Sequence, residues 1–218
     1  FIAKIATGDW DAVVMSHEQF ERIPVSKETR EAHIREQIEM VEQSLLEAHE
    51  QARQKGTKKK DASVKDLEKT LAILKNKLKK TLSEKPKDDV VTFEELGVDQ
   101  IFVDEAHKFK NLYLYTKLSR VPGINTRDAD RSADMYMKTQ YLNKLNGGQR
   151  GVVFATGTPV SNSMTELYTM QRYLQPETLK SLQLMSFDAW ASMFGEIVTD
   201  TELDITGRGY RQKERFRR

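Results

Sequence analysis

The sequence predicts an α/β fold in which a parallel sheet is interrupted by a long antiparallel pair of helices. Short β-branched runs at 12–15, 100–103 and 151–154 alternate with helical patterns, as in parallel sheets. Two heptad series, separated by a short polar loop, lie between the first two runs. The 218 residues, 31% charged and 38% apolar, allow one sizeable domain with a solvated appendage.

Composition argues against several classes of protein. The absence of cysteine excludes a disulfide scaffold, a thiolate zinc site and a thiol nucleophile. No run approaches the roughly 18 apolar residues of a membrane span, and the first residues lack the layout of a signal peptide, so we expect no membrane association. The net charge of +2 conceals basic clusters at 53–60 and 208–218. Such clusters attract phosphate backbones, or they are a solvated loop and tail.

The helical pair is predicted from two apolar series with alternating spacings of three and four residues. The first series is Ile34, Ile38, Val41, Leu45, Ala48 and Ala52. The second series is Val64, Leu67, Leu71, Leu74 and Leu78. A capping-box pattern at Ser63 begins the second helix, and Lys85-Pro86 ends it. We therefore expect residues 26–86 to form an inserted antiparallel coiled-coil hairpin, with His33 and His49 facing solvent.

The body of the fold is predicted from shorter patterns. The continuous apolar runs at 100–103 and 151–154 are typical of strands covered on both faces, and residues 2–5 also look strand-forming. Helical patterns follow at 132–145 and 187–194. Residues 196–218 are expected to be a basic tail or linker.

Two helix starts in the body carry capping signals. Thr92 caps a short turn that Gly97 ends. Ser163, with Glu166 at capping-box spacing, begins a helix that must finish before Pro176.

Chemically useful side chains follow two of the predicted strands. Asp104, Glu105 and His107 come after Val103, and Thr156 and Thr158 come after a second strand. Because parallel strands end at the same edge of a sheet, we expect these groups side by side, with His107 bonded to a threonine hydroxyl. In a nucleotide hydrolase the first acid holds Mg²⁺ and the second activates water. Acids that only cap the next helix are the alternative.

The motifs resemble those of superfamily 2 helicase-like motors, and among them the Swi/Snf-type DNA-dependent ATPases. The resemblance runs through residues 10–14, 104–111 and 155–163 and continues to Glu166-Leu167-Tyr168. Residues 187–194 and 207–210 are similar to helicase/methylase-like proteins of bacterial mobile elements. The resemblance implies a partial RecA-like lobe of the P-loop NTPase type, formed by residues 1–25 and 87–195.

The resemblance also implies roles for particular residues. Asp104 would bind Mg²⁺ and, with Glu105, form part of the nucleotide site, where Glu105 would activate water. His107, Thr156 and Thr158 would couple hydrolysis to DNA. Contacts to nucleic acid are expected from Ser16, His17, Lys58, Lys59 and Lys60. A partly buried structural histidine is the alternative for His17.

The phosphate-binding motif Gly-x-x-x-x-Gly-Lys-Ser/Thr is absent, since Gly147-Gly148 is followed by Gln149-Arg150. We therefore expect a fragment of a DNA-associated protein of the bacterial cytoplasm. In the intact protein, a P-loop segment and a second RecA-like lobe would complete the site for ATP and Mg²⁺, and duplex DNA would be the partner. The fragment alone is expected to bind no cofactor tightly and to be inactive. The alternative is a non-catalytic module that binds nucleic acid or protein through the helical hairpin.

Overall fold

The computed structural model describes residues 2–54, 62–84, 90–116, 129–161, 163–203 and 210–217. Its α-helices are α1 (Ile2–Thr7), α2 (His17–Glu21), α3 (Lys27–Gln54), α4 (Ala62–Ser83), α5 (Asp130–Leu145), α6 (Met164–Leu174), α7 (Pro176–Ser181) and α8 (Phe187–Phe194). Its strands are β1 (Ile101–Val103), β2 (Val152–Phe154), β3 (Glu196–Leu203) and β4 (Tyr210–Arg217), and its 3-10 helices are Phe93–Leu96 and Ala106–Phe109. The described chain is thus mixed α/β and rich in helix, as predicted. None of these helices combines the length and apolarity that a bilayer crossing demands.

Strands β1 and β2 pair in parallel, with Ile101 opposite Val152 and Val103 opposite Phe154. Ile101 and Val103 are buried, whereas Phe102, on the other face, is 75% exposed. Its partner Val153 is 41% exposed. The expectation of a sheet covered on both faces is therefore wrong for the described residues, which cover only one.

The strands expected at the start of the chain are absent from the described residues. Ile2 and Ile5 lie in α1, which suits their helical spacing of three residues. Residues 12–15 have no regular structure, and Val14 is 96% exposed. A strand needs a neighbour for its backbone hydrogen bonds, and among the described residues β1 and β2 pair only with each other.

Helices α3 and α4 pack antiparallel through the predicted apolar residues. At the base of the pair, the Lys27 ammonium donates to the carbonyl oxygens of Leu82 and Glu84 at 2.9 and 2.8 Å. Five apolar side chains form the buried cluster between the helices: Val41, Leu45, Val64, Leu67 and Leu74. Helix α4 begins at Ala62, so Ser63 lies inside it and the predicted cap is wrong.

The other predicted boundaries in the body are close to those observed. Thr92 caps the Phe93–Leu96 helix, and Gly97 ends it with a left-handed φ of 69°. Pro176 begins α7 directly after α6. In α8, three of the four predicted core residues are buried, and Phe194 is 41% exposed.

The segment expected to be a basic tail contains two antiparallel strands. Strands β3 and β4 pair antiparallel from Glu196 opposite Arg217 to Leu203 opposite Tyr210. Charge density alone does not oppose strand pairing, because backbone amide and carbonyl groups form the hydrogen bonds between the strands.

The main core fixes the chain that follows β1. Phe109, at the end of the Ala106–Phe109 helix, is fully buried. The Tyr173 hydroxyl, in α6, lies 3.1 Å from the Phe109 carbonyl and 2.9 Å from the Ser132 carbonyl. Arg172, one residue earlier, is buried and donates to the Tyr113 carbonyl at 2.5 Å. Helices α5 and α6 therefore hold the segment that follows the predicted acidic residues.

Candidate functional site at the ends of the parallel strands

The parallel pairing of β1 and β2 brings the two predicted motifs to one edge of the sheet. The pairing extends past both strands, because the Ala155 amide donates to the Val103 carbonyl at 2.8 Å. The Ala106 amide in turn donates to the Ala155 carbonyl at 3.0 Å. The predicted juxtaposition of the two motifs is thus present.

The acidic pair lies at the exposed end of β1. Asp104 and Glu105 are both solvent-exposed, and the Glu105 amide donates to Asp104 Oδ1 at 2.9 Å. Glu105 has a left-handed backbone, with φ 53° and ψ 42°. This conformation costs a non-glycine residue about 1–2 kcal/mol. It turns the chain from β1 into the Ala106–Phe109 helix, so that the acids project at the sheet edge.

His107 connects the two motifs directly. Its Nδ1 lies 3.2 Å from Thr156 Oγ1 and 3.0 Å from Glu105 Oε2. Because an ionised carboxylate only accepts hydrogen bonds, the contact with Glu105 favours the proton on Nδ1. The predicted hydrogen bond between His107 and a threonine hydroxyl is therefore present, and Glu105 is a second partner that the sequence did not reveal.

The two threonines take different parts in the turn after β2. Thr156 Oγ1 contacts His107 and also accepts a hydrogen bond from the Thr158 amide at 3.2 Å. Thr158 itself is exposed, and only its backbone is bonded to Thr156. The structure therefore brings Thr156 to His107 and leaves the Thr158 side chain at the surface.

Three further polar residues join the two motifs. Lys110 Nζ lies 3.1 Å from Glu166 Oε2 and 2.7 Å from Ser161 Oγ. Glu166 was expected in a capping box, but the Ser163 hydroxyl caps α6 through the Thr165 amide, and the Glu166 carboxylate turns to Lys110. Lys110 and Glu166 both lie in the stretches that carry the family resemblance, which was the available signal for them.

Of the residues expected to contact nucleic acid, the structure describes Ser16 and His17. Ser16 caps α2, with its hydroxyl accepting from the Gln19 amide at 3.3 Å. The His17 ring packs edge-on against Phe109, with centroids 5.3 Å apart, so His17 is a partly buried neighbour of the site. Lys58, Lys59 and Lys60 lie outside the described residues.

The predicted site residues lie at an open edge of the sheet, away from a large cavity in the described part of the chain. A cavity of about 940 Å³ lies between α3, α5 and α7, and none of the predicted site residues lines it. We place the candidate site at the sheet edge, because the chemically matched side chains converge there. His33 lies at a second cavity, of about 370 Å³, and is 7% exposed, so the expectation that it faces solvent is wrong. His49 is exposed, as expected.

The acidic pair fits a Mg²⁺ site with one or two protein ligands better than a metal site enclosed by protein ligands. Within the described ranges, no three or more acidic, histidine or cysteine side chains cluster as a metal site would require. Mg²⁺ commonly binds through one or two carboxylates and completes its shell with water and substrate phosphates. The exposed carboxylate of Asp104 matches that mode.

Comparison with known proteins gives a family and one distant relative. A family model described as "Probable helicase domain" matches residues 1–218. The chain is 28% identical over 206 residues to the Defense against restriction protein B of Escherichia phage P1. The match covers 93% of this chain and 9% of that protein, so the chain spans about a tenth of its relative's length. No solved structure matches the chain.

Proposed function

This chain belongs to the probable helicase domain family, and we propose that it is part of the first RecA-like lobe of a Swi/Snf-type, DNA-dependent ATPase. The observation that carries the proposal is the contact between His107 and Thr156, 3.2 Å apart, at the common edge of β1 and β2. It joins the residues suited to nucleotide chemistry with the exposed turn that follows β2. A motor needs such a connection between its hydrolytic site and its track.

The proposed roles follow from the chemistry of the site. Asp104 is the ligand for Mg²⁺, which when bound neutralises charge on the phosphate oxygens of ATP. Glu105 accepts a proton from the attacking water or orients it. Its contact with His107 holds the carboxylate at the sheet edge.

Coupling to DNA is proposed to run through His107 and the turn after β2. Residues 157–161 are exposed and begin with Gly157 and Thr158. A DNA strand that binds this turn would move Thr156. Because Thr156 contacts His107, that movement would shift the imidazole that contacts Glu105. Since duplex DNA is the proposed partner, we propose that the protein acts on DNA in the bacterial cytoplasm.

Other segments of the intact protein are proposed to complete the ATP site. The 218 residues hold no P-loop lysine, so a P-loop segment and a second RecA-like lobe must supply the phosphate cradle and an arginine. The exposed apolar face of the sheet, with Phe102 75% exposed, supports further strands or helices packing there. The small share of the phage relative that this chain covers also supports the proposal.

The test uses the full-length protein. We expect DNA-stimulated ATP hydrolysis, and we expect Glu105→Gln to lower it by about 10²-fold or more while nucleotide binding persists. Glu95→Gln is the matched control, because Glu95 is an exposed glutamate that only caps a 3-10 helix. Equal hydrolysis by wild type and Glu105→Gln would contradict the assigned role. Robust turnover by the 218-residue chain alone, abolished by Glu105→Gln, would contradict the need for other segments.

A second candidate function is a non-catalytic module that binds nucleic acid through the helical pair. The observation that favours it is the charge of α4, which carries six lysines and two carboxylates. Lys65, Lys69 and Lys80 are exposed and lie on one face, since separations of four and eleven residues are near whole helical turns. Helix α3, by contrast, has seven carboxylates and four basic residues.

Salt dependence separates this second candidate from the motor. If the α4 face binds phosphates, replacing Lys65, Lys69 and Lys80 by glutamine lowers the slope of log K against log salt by roughly 0.9 for each phosphate that is no longer neutralised. Lys75→Gln is the control, because Lys75 is already paired with Glu42 at 2.8 Å. An unchanged slope in the triple variant would exclude this face as a DNA-binding surface.

A further inference from the structure

A nearly buried ion pair joins the two motifs at a point that the proposed reaction does not use. Lys110 and Glu166 have side chains only 9% and 11% exposed, and their charged atoms are 3.1 Å apart. Lys110 directly follows the Ala106–Phe109 helix, and Glu166 lies in the first turn of α6. The pair therefore bridges the segment after β1 and the helix that follows the turn after β2.

Ser161 links this ion pair to the turn itself. Its hydroxyl accepts from Lys110 Nζ at 2.7 Å, and its amide donates to Glu166 Oε2 at 2.5 Å. Ser161 is the last described residue of the exposed turn 156–161. The end of the turn is thus held by one lysine and one carboxylate.

The same turn is held at its beginning by a different contact. Thr156 Oγ1 contacts His107 and accepts from the Thr158 amide. His107 and Lys110 belong to one short segment that the core holds through the carbonyl of Phe109. Both ends of the turn are therefore attached to the same core-held segment, with the exposed residues 157–160 between them.

We propose that Lys110 and Glu166 are positioning residues, which hold the 156–161 turn so that the Thr156 hydroxyl stays against His107. Without the lysine, the carboxylate of Glu166 loses the positive charge 3.1 Å away in a nearly closed site, and Ser161 loses the ammonium that donates to its hydroxyl. At its end the turn then keeps only the bonds between Ser161 and Glu166, a carboxylate that Lys110 no longer ties to the segment of His107. Thr156 becomes free to leave the imidazole. The effect on DNA coupling rests on the proposed function, whereas the effect on the turn does not.

Hydrogen exchange on the 218-residue chain tests the effect on the turn. We expect Lys110→Met to speed deuterium uptake of peptides over 155–161 by about tenfold or more, while peptides over β1 keep their wild-type rates. The control is Lys180→Met, which breaks the exposed pair between Lys180 and Glu177, 57% and 53% exposed. A folded Lys110→Met protein with unchanged exchange in the turn would overturn the proposal.

A histidine signal tests the contact with Thr156 directly. The chain has only four histidines, so the His107 C2 proton can be assigned in NMR spectra by comparison with His107→Gln. We expect Lys110→Met to shift this resonance at fixed pH, and Lys180→Met to leave it in place. A merely stabilising ion pair would leave the His107 resonance unchanged, and that result would also overturn the proposal.

A milder variant keeps the test decisive if Lys110→Met does not fold. Ser161→Ala removes the hydroxyl that Lys110 reaches and retains the ion pair, so we expect smaller changes of the same kind, and their absence would overturn the proposal. In the full-length protein, Lys110→Met should lower DNA-stimulated hydrolysis by about tenfold relative to Lys180→Met. Equal rates of DNA-stimulated hydrolysis in these two variants would show that the ion pair does not affect coupling to DNA. Absence of hydrolysis in the wild-type protein would instead refute the proposed function and leave the exchange result standing.

Discussion

The Ser26 amide shares its hydrogen between the two carboxylate oxygens of Glu94, at 3.0 and 3.2 Å, and the Ser26 hydroxyl donates to the same carboxylate at 2.9 Å. The carboxylate also bonds the Thr29 hydroxyl. Glu94 belongs to the body of the fold, whereas Ser26 immediately precedes α3. A negative charge at this position satisfies free amides and complements the helix dipole. The base of the helical pair is therefore fixed to the body by a side chain from outside the pair.

We expect Glu94→Gln to lower the free energy of unfolding by about 1–2 kcal/mol, since hydrogen bonds to a charged acceptor become bonds to a neutral amide. Burial opposes ionisation, but the bonds from Thr29 and Ser26 hold the pKa of Glu94 below its usual value. The contribution is therefore present above the unfolded pKa of the carboxyl and disappears as the pH falls through the folded pKa. Urea unfolding at neutral pH measures the loss. Glu31→Gln is the control, because Glu31 forms only a surface pair with Arg35, and an equal loss there would contradict the prediction.

The burial of one face of α4 allows us to predict which substitutions in this helix lower stability. Leu67 is 6% exposed between α3 and α4, whereas Ile73 on the other side of α4 is 66% exposed. We expect Leu67→Ala to cost about 2–5 kcal/mol, because it removes buried methyl groups and leaves a cavity. Ile73→Ala should change stability by less than about 0.5 kcal/mol. Denaturation followed by helical circular dichroism compares the two variants, and similar losses would mean that α4 packs through another face.

The sequence predicted correctly those elements whose residue spacing alone shows which side chains are buried or which residues lie together. The heptad spacing around Val41 and Leu67 marks a seam, and both side chains are buried in it. Parallel strands that are followed by Asp104 and by Thr156 must place those residues at one edge, and they do. The sequence could not show which residues lack a neighbour. The β-branched run at 12–15 resembles a strand, but no described strand pairs with it.

The errors at the site have a related cause. Serine and glutamate three residues apart describe a capping box, but the same spacing permits Glu166 to leave the cap and pair with Lys110. Only the tertiary fold decides between the two. The heptad pattern likewise places His33 off the seam, and the body of the protein buries it from another side, against Tyr113 and Tyr136. Local spacing predicts which face of a helix a residue occupies and leaves open what packs on the other faces.

The left-handed backbone of Glu105 predicts an unusual order of stability. Glycine adopts this conformation without the clash that a Cβ atom introduces, so we expect Glu105→Gly to be more stable than Glu105→Ala by about 1 kcal/mol. Glu95 provides the opposite case, because it lies in a right-handed 3-10 helix, where glycine should be the less stable substitution. Thermal unfolding of the four variants gives both differences. An alanine variant at 105 that equals or exceeds the glycine variant would contradict the assigned backbone conformation.

Buried His33 predicts a loss of stability in mild acid. Burial, with the nearby charges of Arg172 and Lys77, lowers the pKa of His33 to about 3. The Nε2 atom of His33 lies 3.1 Å from the side-chain Nε2 of Gln37. The Nδ1 atom of His33 is buried without a hydrogen-bond partner among the described residues. The folded ring therefore stays neutral at pH values where the unfolded ring takes up a proton.

Because the unfolded state then binds more protons, the contribution of His33 is complete above its unfolded pKa and decreases as the pH falls below it. The decrease approaches about 1.4 kcal/mol per pH unit. We expect wild type to lose about 2 kcal/mol more than His33→Gln between pH 6.5 and 5. Asp134, whose pKa burial raises to about 6, acts in the opposite direction, but it is present in both proteins and cancels in the difference. His49→Gln, at an exposed position, should follow the wild-type profile. Parallel profiles for wild type and His33→Gln in urea unfolding would mean that the folded imidazole is protonated like an exposed one.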